Sequence, residues 1–341
     1  MTTLTEMTQT RMERIRRKNP AATMQAAVIT APHQLEIVSI KRPEPPPGKV
    51  LIRMEGCGIC ATNLAVWEGQ PWFQYPCDPG TPGHEGWGVV EAVGDGVRKF
   101  IPGDRVAFLS YHAFAEYDVA SVENMVRLPN TLMNQPFPGE PLACAINVMK
   151  RSRIEPGETV AIVGIGFLGA LLTQLATQAG ARVIAITRRP SALEVAKSFG
   201  AAETVVLDDH WSAIEQVQAL TGGKGCDCVI EAVGKQGPLD LASELTREMG
   251  RLVIAGYHQD GMRQVNMQLW NWRGLDVINA HERELDNHVK GIREAIKCIL
   301  GGSLDPSPLY THCFPLHQLD AALQATAERP PGFMKALIKF Q

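Results

Sequence analysis

No stretch of this 341-residue chain stays apolar for the roughly 20 residues that a membrane-spanning helix takes. The longest apolar run, Val160 to Leu172, is also broken by Gly164, Gly166 and Gly169. Excess charge of one sign is lacking too. The net charge of −3 gives no reason to expect nucleic acid as a partner. Residues 1–23 are polar, with a basic cluster at Arg11, Arg14, Arg16, Arg17 and Lys18. No apolar core follows those charges, which argues against a secretory signal and for a flexible N-terminal extension. The eight cysteines (Cys57, Cys60, Cys77, Cys144, Cys226, Cys228, Cys298 and Cys313) are scattered. Without a signal segment they fit a reduced, cytoplasmic protein better than a disulfide scaffold. Cys57-x-x-Cys60 has no second such pair, which argues against a four-cysteine structural zinc.

Hydrophobic residues make up 45% of the chain and charged residues 20%, ordinary values for a globular protein of two domains. The first half reads as β-rich. Short β-branched runs at 49–54, 88–93 and 104–108 are punctuated by Pro45-Pro46-Pro47-Gly48, Pro79-Gly80 and Pro102-Gly103. From about residue 150 strands and helices alternate. Val160–Val163 is a continuous apolar run, as in a buried parallel strand. Leu168, Leu171, Leu172, Leu175, Ala176 and Ala179 then recur at helical spacing up to Gly180. Further strands are expected at 183–186, 204–207, 228–231 and 252–255. Ser191-x-x-Glu194 and Ser212-x-x-Glu215 read as capping boxes opening two of the helices between them. The pattern is that of an α/β fold with a parallel sheet and right-handed crossovers.

Gly164-x-Gly166-x-x-Gly169 falls between the first of these strands and its helix. The first glycine permits a tight turn, the second lets a pyrophosphate approach the backbone, and the third packs helix on strand. The helix N-terminus, at Phe167 and Leu168, attracts the phosphate charge. In this strand-turn-helix-strand context the loop reads as a dinucleotide site. At the end of the next strand an NAD site usually carries an acid for the ribose hydroxyls. This chain has Thr187-Arg188-Arg189-Pro190 instead. An acid would repel a 2′-phosphate, whereas Arg pairs with one bidentately, so NADP(H) is expected in preference to NAD(H). Asp208 and Asp209 end a later strand and are wrongly placed to replace the missing acid.

Upstream, Cys60 and His84 stand 24 residues apart on Gly-rich turns, in Gly58-Ile59-Cys60-Ala61-Thr62 and Gly83-His84-Glu85-Gly86. With Gly103-Asp104-Arg105-Val106, Glu140-Pro141-Leu142 and the glycine loop, these segments resemble the zinc-containing medium-chain dehydrogenase/reductase family of alcohol, sorbitol and threonine dehydrogenases. The resemblance runs from about residue 25 to the end. It implies a GroES-like β-rich catalytic domain over 24–148 and 300–341, with a Rossmann doubly wound domain, 149–299, inserted between. It also implies a homodimer or homotetramer acting on a small-molecule alcohol or carbonyl. Cys60 and His84 map onto ligands of a catalytic zinc. Glu140 stands where several subfamilies place the third ligand, Cys144 is a nearby alternative, and Glu85 matches a glutamate that in some members enters the shell. Thr62 matches the hydroxyl that starts the proton relay, and Lys335 a basic residue that touches the pyrophosphate.

Several positions depart from the family pattern. Asn63 replaces the common Asp that braces the ligand histidine; an amide can accept that hydrogen bond but adds no charge. Ala65 sits where some relatives carry a relay histidine. Only Ala107 to Phe114, with no cysteine, occupies the place of the four-cysteine lobe, so one catalytic zinc and no structural zinc is expected. His281 is a weaker candidate for facing substrate. The Glu140 ligand and the missing histidine lean toward a secondary alcohol, polyol or sugar-derived alcohol. Competing readings are a zinc-independent quinone or enoyl reductase of the same superfamily and a non-catalytic NADP-binding protein. Metal content tests the first and turnover the second.

Overall fold

The computed structural model describes residues 23–340. The extension expected over 1–23 therefore lies outside the described residues, apart from Thr23, which opens the first strand. The leading segment comprises β1 (Thr23–Ala31), β2 (Gln34–Lys41), β3 (Lys49–Gly58), α1 (Asn63–Trp67), β4 (Glu85–Val93), β5 (Arg105–Phe108), β6 (Tyr117–Ser121), β7 (Met125–Arg127) and α2 (Gly139–Ser152). An alternating segment follows: β8 (Thr159–Val163), α3 (Phe167–Gln178), β9 (Arg182–Thr187), α4 (Pro190–Ser198), β10 (Glu203–Val206), α5 (His210–Leu220), β11 (Cys226–Glu231), α6 (Gln236–Leu245), β12 (Thr246–Ile254), α7 (Met267–Arg273), β13 (Asp276–Asn279) and α8 (Leu285–Leu300). The chain ends with β14 (His312–Pro315), α9 (Leu319–Glu328) and β15 (Ala336–Lys339).

Six strands form one parallel sheet in the order β10-β9-β8-β11-β12-β13. This is the doubly wound order, with its switch point between β8 and β11. Alternation sorts the side chains of its central strands onto two faces. Val160, Ile162, Val183 and Ala185 pack with α2 and α3, whereas Ala161, Val163, Ile184 and Ile186 pack with α5 and α6. Both faces are covered by helices, which is why β8 reads as an unbroken apolar run.

The second sheet takes strands from both chain ends, in the order β14-β15-β3-β4-β5-β7, with β6 also paired to β3. At its centre β15 runs antiparallel to β3, placing Ile338 opposite Cys57 and Leu337 opposite Gly58. The chain terminus is thereby built in beside the Cys60 loop. This GroES-like layer and the Rossmann-like sheet meet along α2, which packs against α3 and α8. Among the described residues no helix is long and apolar enough to cross a membrane.

Both expected capping boxes are corrected. The helix at 191–198 starts one residue earlier, at Pro190, and Arg189 holds the cap position without a side-chain bond. Proline fits the first helical turn because its missing N–H would have no partner there. In α5 the cap is Asp209, whose carboxylate accepts Ser212 N–H at 2.8 Å, so Ser212 is the capped residue and not the cap.

Candidate active site

A cleft of about 1300 Å³ runs between the two sheets, along the carboxyl ends of the parallel strands. Its walls include Cys60, Thr62, His84, Glu85, Glu140 and Cys144 at one end. Gly164 to Leu168 and Thr187 to Arg189 line the other, with Lys335 also on the wall. This is where doubly wound sheets bind their ligands.

The glycine loop has the geometry its spacing suggested. Gly164 lies at φ +102°, a left-handed conformation in which a β-carbon would also run into Val233. A β-carbon on Gly169 would overlap the carbonyl oxygen of Gly164, so helix and turn pack this tightly only without one. Gly166, in contrast, faces open space. Beside the loop Phe167 stacks on Tyr310 at 5.9 Å between ring centroids, and the Lys335 ammonium lies 4.9 Å from the Phe167 centroid.

Two groups of metal-ligating side chains face the cleft. Cys60, His84 and Glu85 offer atoms within 4.8 Å of one another, and so do Glu140, Cys144 and His288. The expected set of Cys60, His84 and Glu140 is thus divided between them. Glu140 and Cys144 lie one turn apart on α2, where the Cys144 thiol donates to Glu140 Oε1 at 3.2 Å. Burial pushes this thiol well up from its ordinary pKa, and the Glu140 carboxylate adds to the effect. For His84, burial opposes the charged ring. The Cys60 side chain and the nearby carboxylates outweigh it and hold the imidazole well above its ordinary pKa. Two thiols, two imidazoles and two carboxylates are therefore gathered in a poorly solvated space. That soft, electron-rich set suits zinc, which takes Cys sulfur, His nitrogen and carboxylate oxygen.

Asn63 braces the site in an unforeseen way. Its Oδ1 accepts the backbone N–H of Cys60 at 2.8 Å, and it is the donor Nδ2 that lies toward His84, 3.4 Å from Nδ1. Its Nδ2 donates to the Pro82 carbonyl at 3.0 Å. His84 Nδ1 lies 2.9 Å from that same carbonyl, its natural proton acceptor, leaving Nε2 with a lone pair for a metal. Thr62 precedes α1 without capping it by its side chain, and it lines the cleft. His281 lies on the wall stacked against Tyr257 at 5.1 Å.

Lys335 is buried, and its Nζ donates to Glu85 Oε1 at 2.7 Å while lying 2.6 Å from Oε2. Both side chains are nearly inaccessible, at 6% and 0% exposure. The pair links residues 250 positions apart. The lysine expected to touch pyrophosphate is therefore paired with Glu85, the carboxylate beside the candidate ligand His84.

Two further residues escaped the sequence reading. Glu231, fully buried at the end of β11, accepts the N–H groups of Val233 and Gly234, both at 2.7 Å. It also lies 3.1 Å from His258 Nε2. It shapes the loop opposite the glycine turn, and an acid ending a strand at the switch point was the available signal. Arg329, which ends α9, lines the cleft from the far end of the chain.

The family model described as "Alcohol dehydrogenase GroES-like domain" matches residues 46–130, and that described as "Zinc-binding dehydrogenase" matches residues 168–294. The chain is 28% identical to an erythritol/L-threitol dehydrogenase of Mycolicibacterium smegmatis, over 92% of this chain and 97% of that protein. It is 31% identical to an alcohol dehydrogenase of Geobacillus stearothermophilus, over 68% and 77%. Among solved structures, a putative zinc-binding dehydrogenase from Sinorhizobium meliloti bound to NADP superposes with a TM-score of 0.80 at 26% identity, covering 94% of this chain and 100% of that one. With both domain models matched and a relative at 31% identity over two thirds of the chain, the chain belongs to the zinc-containing medium-chain dehydrogenase/reductase family.

Proposed function

We propose that this protein is a zinc-dependent, NADP(H)-linked dehydrogenase. It would reversibly oxidise a secondary alcohol, polyol or sugar-derived alcohol to the carbonyl. The observation that carries this reading is the convergence of Cys60, His84, Glu140 and Cys144 on one end of a cleft whose other end is a glycine loop without a ribose-binding acid. Cys60 and His84 would hold one zinc per subunit, with Glu140 as third ligand and Cys144 beside it. When bound, zinc supplies Lewis acidity toward a hydroxyl or carbonyl oxygen, and the nicotinamide supplies the hydride chemistry.

The chain's own residues do the rest. Thr62 takes the hydroxyl proton and passes it on. Ala65 provides no imidazole for a relay, so the proton passes from Thr62 toward water in the cleft. The buried walls keep bulk water from the reacting atoms. Relatives at modest identity that are named erythritol/L-threitol dehydrogenase, sorbitol dehydrogenase and alcohol dehydrogenase support the substrate class. All eight cysteines are free thiols, which fits a reducing, cytoplasmic setting.

Steady-state turnover tests this reading, using a panel of secondary alcohols and tetritol-to-hexitol polyols with each cofactor. The expected result is oxidation of at least one polyol or secondary alcohol, with kcat/KM higher for NADP than for NAD by about tenfold or more, the effect of a charge-assisted phosphate contact. Reduction of quinones or enones, with no alcohol oxidised at any pH, would refute it.

A further inference from the structure

The cleft is also lined by residues from the chain's other end, Thr326 to Arg329 and Phe333 to Lys335. Of the two arginines at the end of β9, Arg189 is already committed. Its Nη1 donates to the Phe333 carbonyl at 2.5 Å and its Nη2 to the Ile165 carbonyl at 2.9 Å. It ties the β9 turn and the glycine loop to the segment after α9. Arg188 is left exposed on the cleft wall.

Arg329, also exposed, lines the same cleft as the C-cap of α9, in the left-handed region at φ 50°. Its Nε makes a long 3.4 Å contact with the Thr326 carbonyl. Neither guanidinium forms an ion pair with a carboxylate among the described residues, although ten arginine–carboxylate pairs form elsewhere. The adjacent acid, Glu328, instead accepts from Gln324 Nε2 at 2.8 Å. The three cations bear on one another. Burial and then Arg329 lower the pKa of Arg189; Arg329 is open to the cleft but partly desolvated by its walls, and this desolvation and then Arg188 lower its pKa too. A concave wall with uncompensated guanidiniums on two sides is built for an anion of more than one charge.

We propose that Arg188 and Arg329 form a two-sided clamp for a phosphate dianion, the 2′-phosphate of NADP(H), with Arg189 as the positioning residue that sets the two sides at their spacing. This rests on the NADP(H) reading above and adds to it a specificity residue from the catalytic half of the chain. The cofactor's third phosphate would then bridge the two halves of the molecule, a contact NAD(H) cannot make.

Calorimetric titration of the full-length protein with adenosine 2′,5′-bisphosphate and with AMP tests the clamp. The wild type should prefer the bisphosphate. Arg329→Asn keeps a residue that tolerates the left-handed cap. It should weaken bisphosphate binding by about ten- to a hundredfold, the effect of losing a charge-assisted contact, and leave AMP unchanged. Arg329→Lys should retain part of the preference. Wild-type bisphosphate affinity in Arg329→Asn, with loss in Arg188→Ala, would reduce Arg329 to a helix cap and overturn the clamp. Equal weakening of both ligands would overturn it too, by making the effect structural. A wild type indifferent to the 2′-phosphate would instead remove the NADP(H) reading itself, and the clamp with it.

Discussion

Cys60→Ala should lower kcat/KM for alcohol oxidation by about three orders of magnitude or more, equivalent to about 4 kcal/mol of transition-state stabilisation at 1.36 kcal/mol per decade. The reasoning starts from the loop. Cys60 lies in the turn between β3 and α1, with its backbone N–H held by Asn63 Oδ1. Its side chain is therefore aimed by a fixed turn toward His84 and Glu85. Removing the sulfur removes a charged, soft ligand that neither neighbour replaces, since His84 is neutral when it ligates and Glu85 is bound to Lys335. Because Cys60 is only partly buried, the fold should survive. A melting temperature within a few degrees of wild type, read in the metal-free state of both proteins, would confirm that the loss is chemical. Wild-type turnover in the variant would mean that Cys60 holds nothing the reaction needs.

Lys335→Met should destabilise the protein by about 3–5 kcal/mol, because it leaves the Glu85 carboxylate buried without its counter-ion. Methionine fills most of the lysine's volume, so little of the effect comes from a cavity. The double variant Glu85→Gln/Lys335→Met should recover a large part of the loss, since both charges are then gone. The pH dependence has a definite sign. Burial lowers the Lys335 pKa, but Glu85 and other anionic neighbours raise it by more, for a net upward shift. A lysine raised in the folded state contributes stability that is fully present below its unfolded pKa, about 10.4, and is lost as pH rises through the folded value. Chemical denaturation between pH 7 and pH 9 should therefore show no loss assignable to this pair. Additive single-variant effects in the cycle would mean the two side chains do not interact.

The parts of the fold legible in the sequence were those encoded over short distances. Val160–Val163, the glycine spacing and the apolar positions of α3 sit within about twenty residues and give strand, turn and helix directly. The capping boxes failed for an equally local reason. A proline at 190 and an aspartate at 209 outcompeted the serines one and three positions later, respectively. Ligand candidates were visible as residue types on Gly-rich turns. Their division into two groups was not, because it depends on how α2 and α8 sit against the β3–α1 turn. The longest-range features carried no local mark at all. Lys335 meets Glu85 because β15 pairs with β3, and Arg189 meets Phe333 across 144 positions. Arg329 gains its place on the cleft only once those pairings have formed.

The zinc content of protein purified without chelator tests the central claim most directly. Elemental analysis should find close to one zinc per subunit, and chelation should remove metal and alcohol oxidation in parallel, with both restored by added zinc. Protein that holds no zinc, gains none on addition and still oxidises alcohols at its full rate would contradict it.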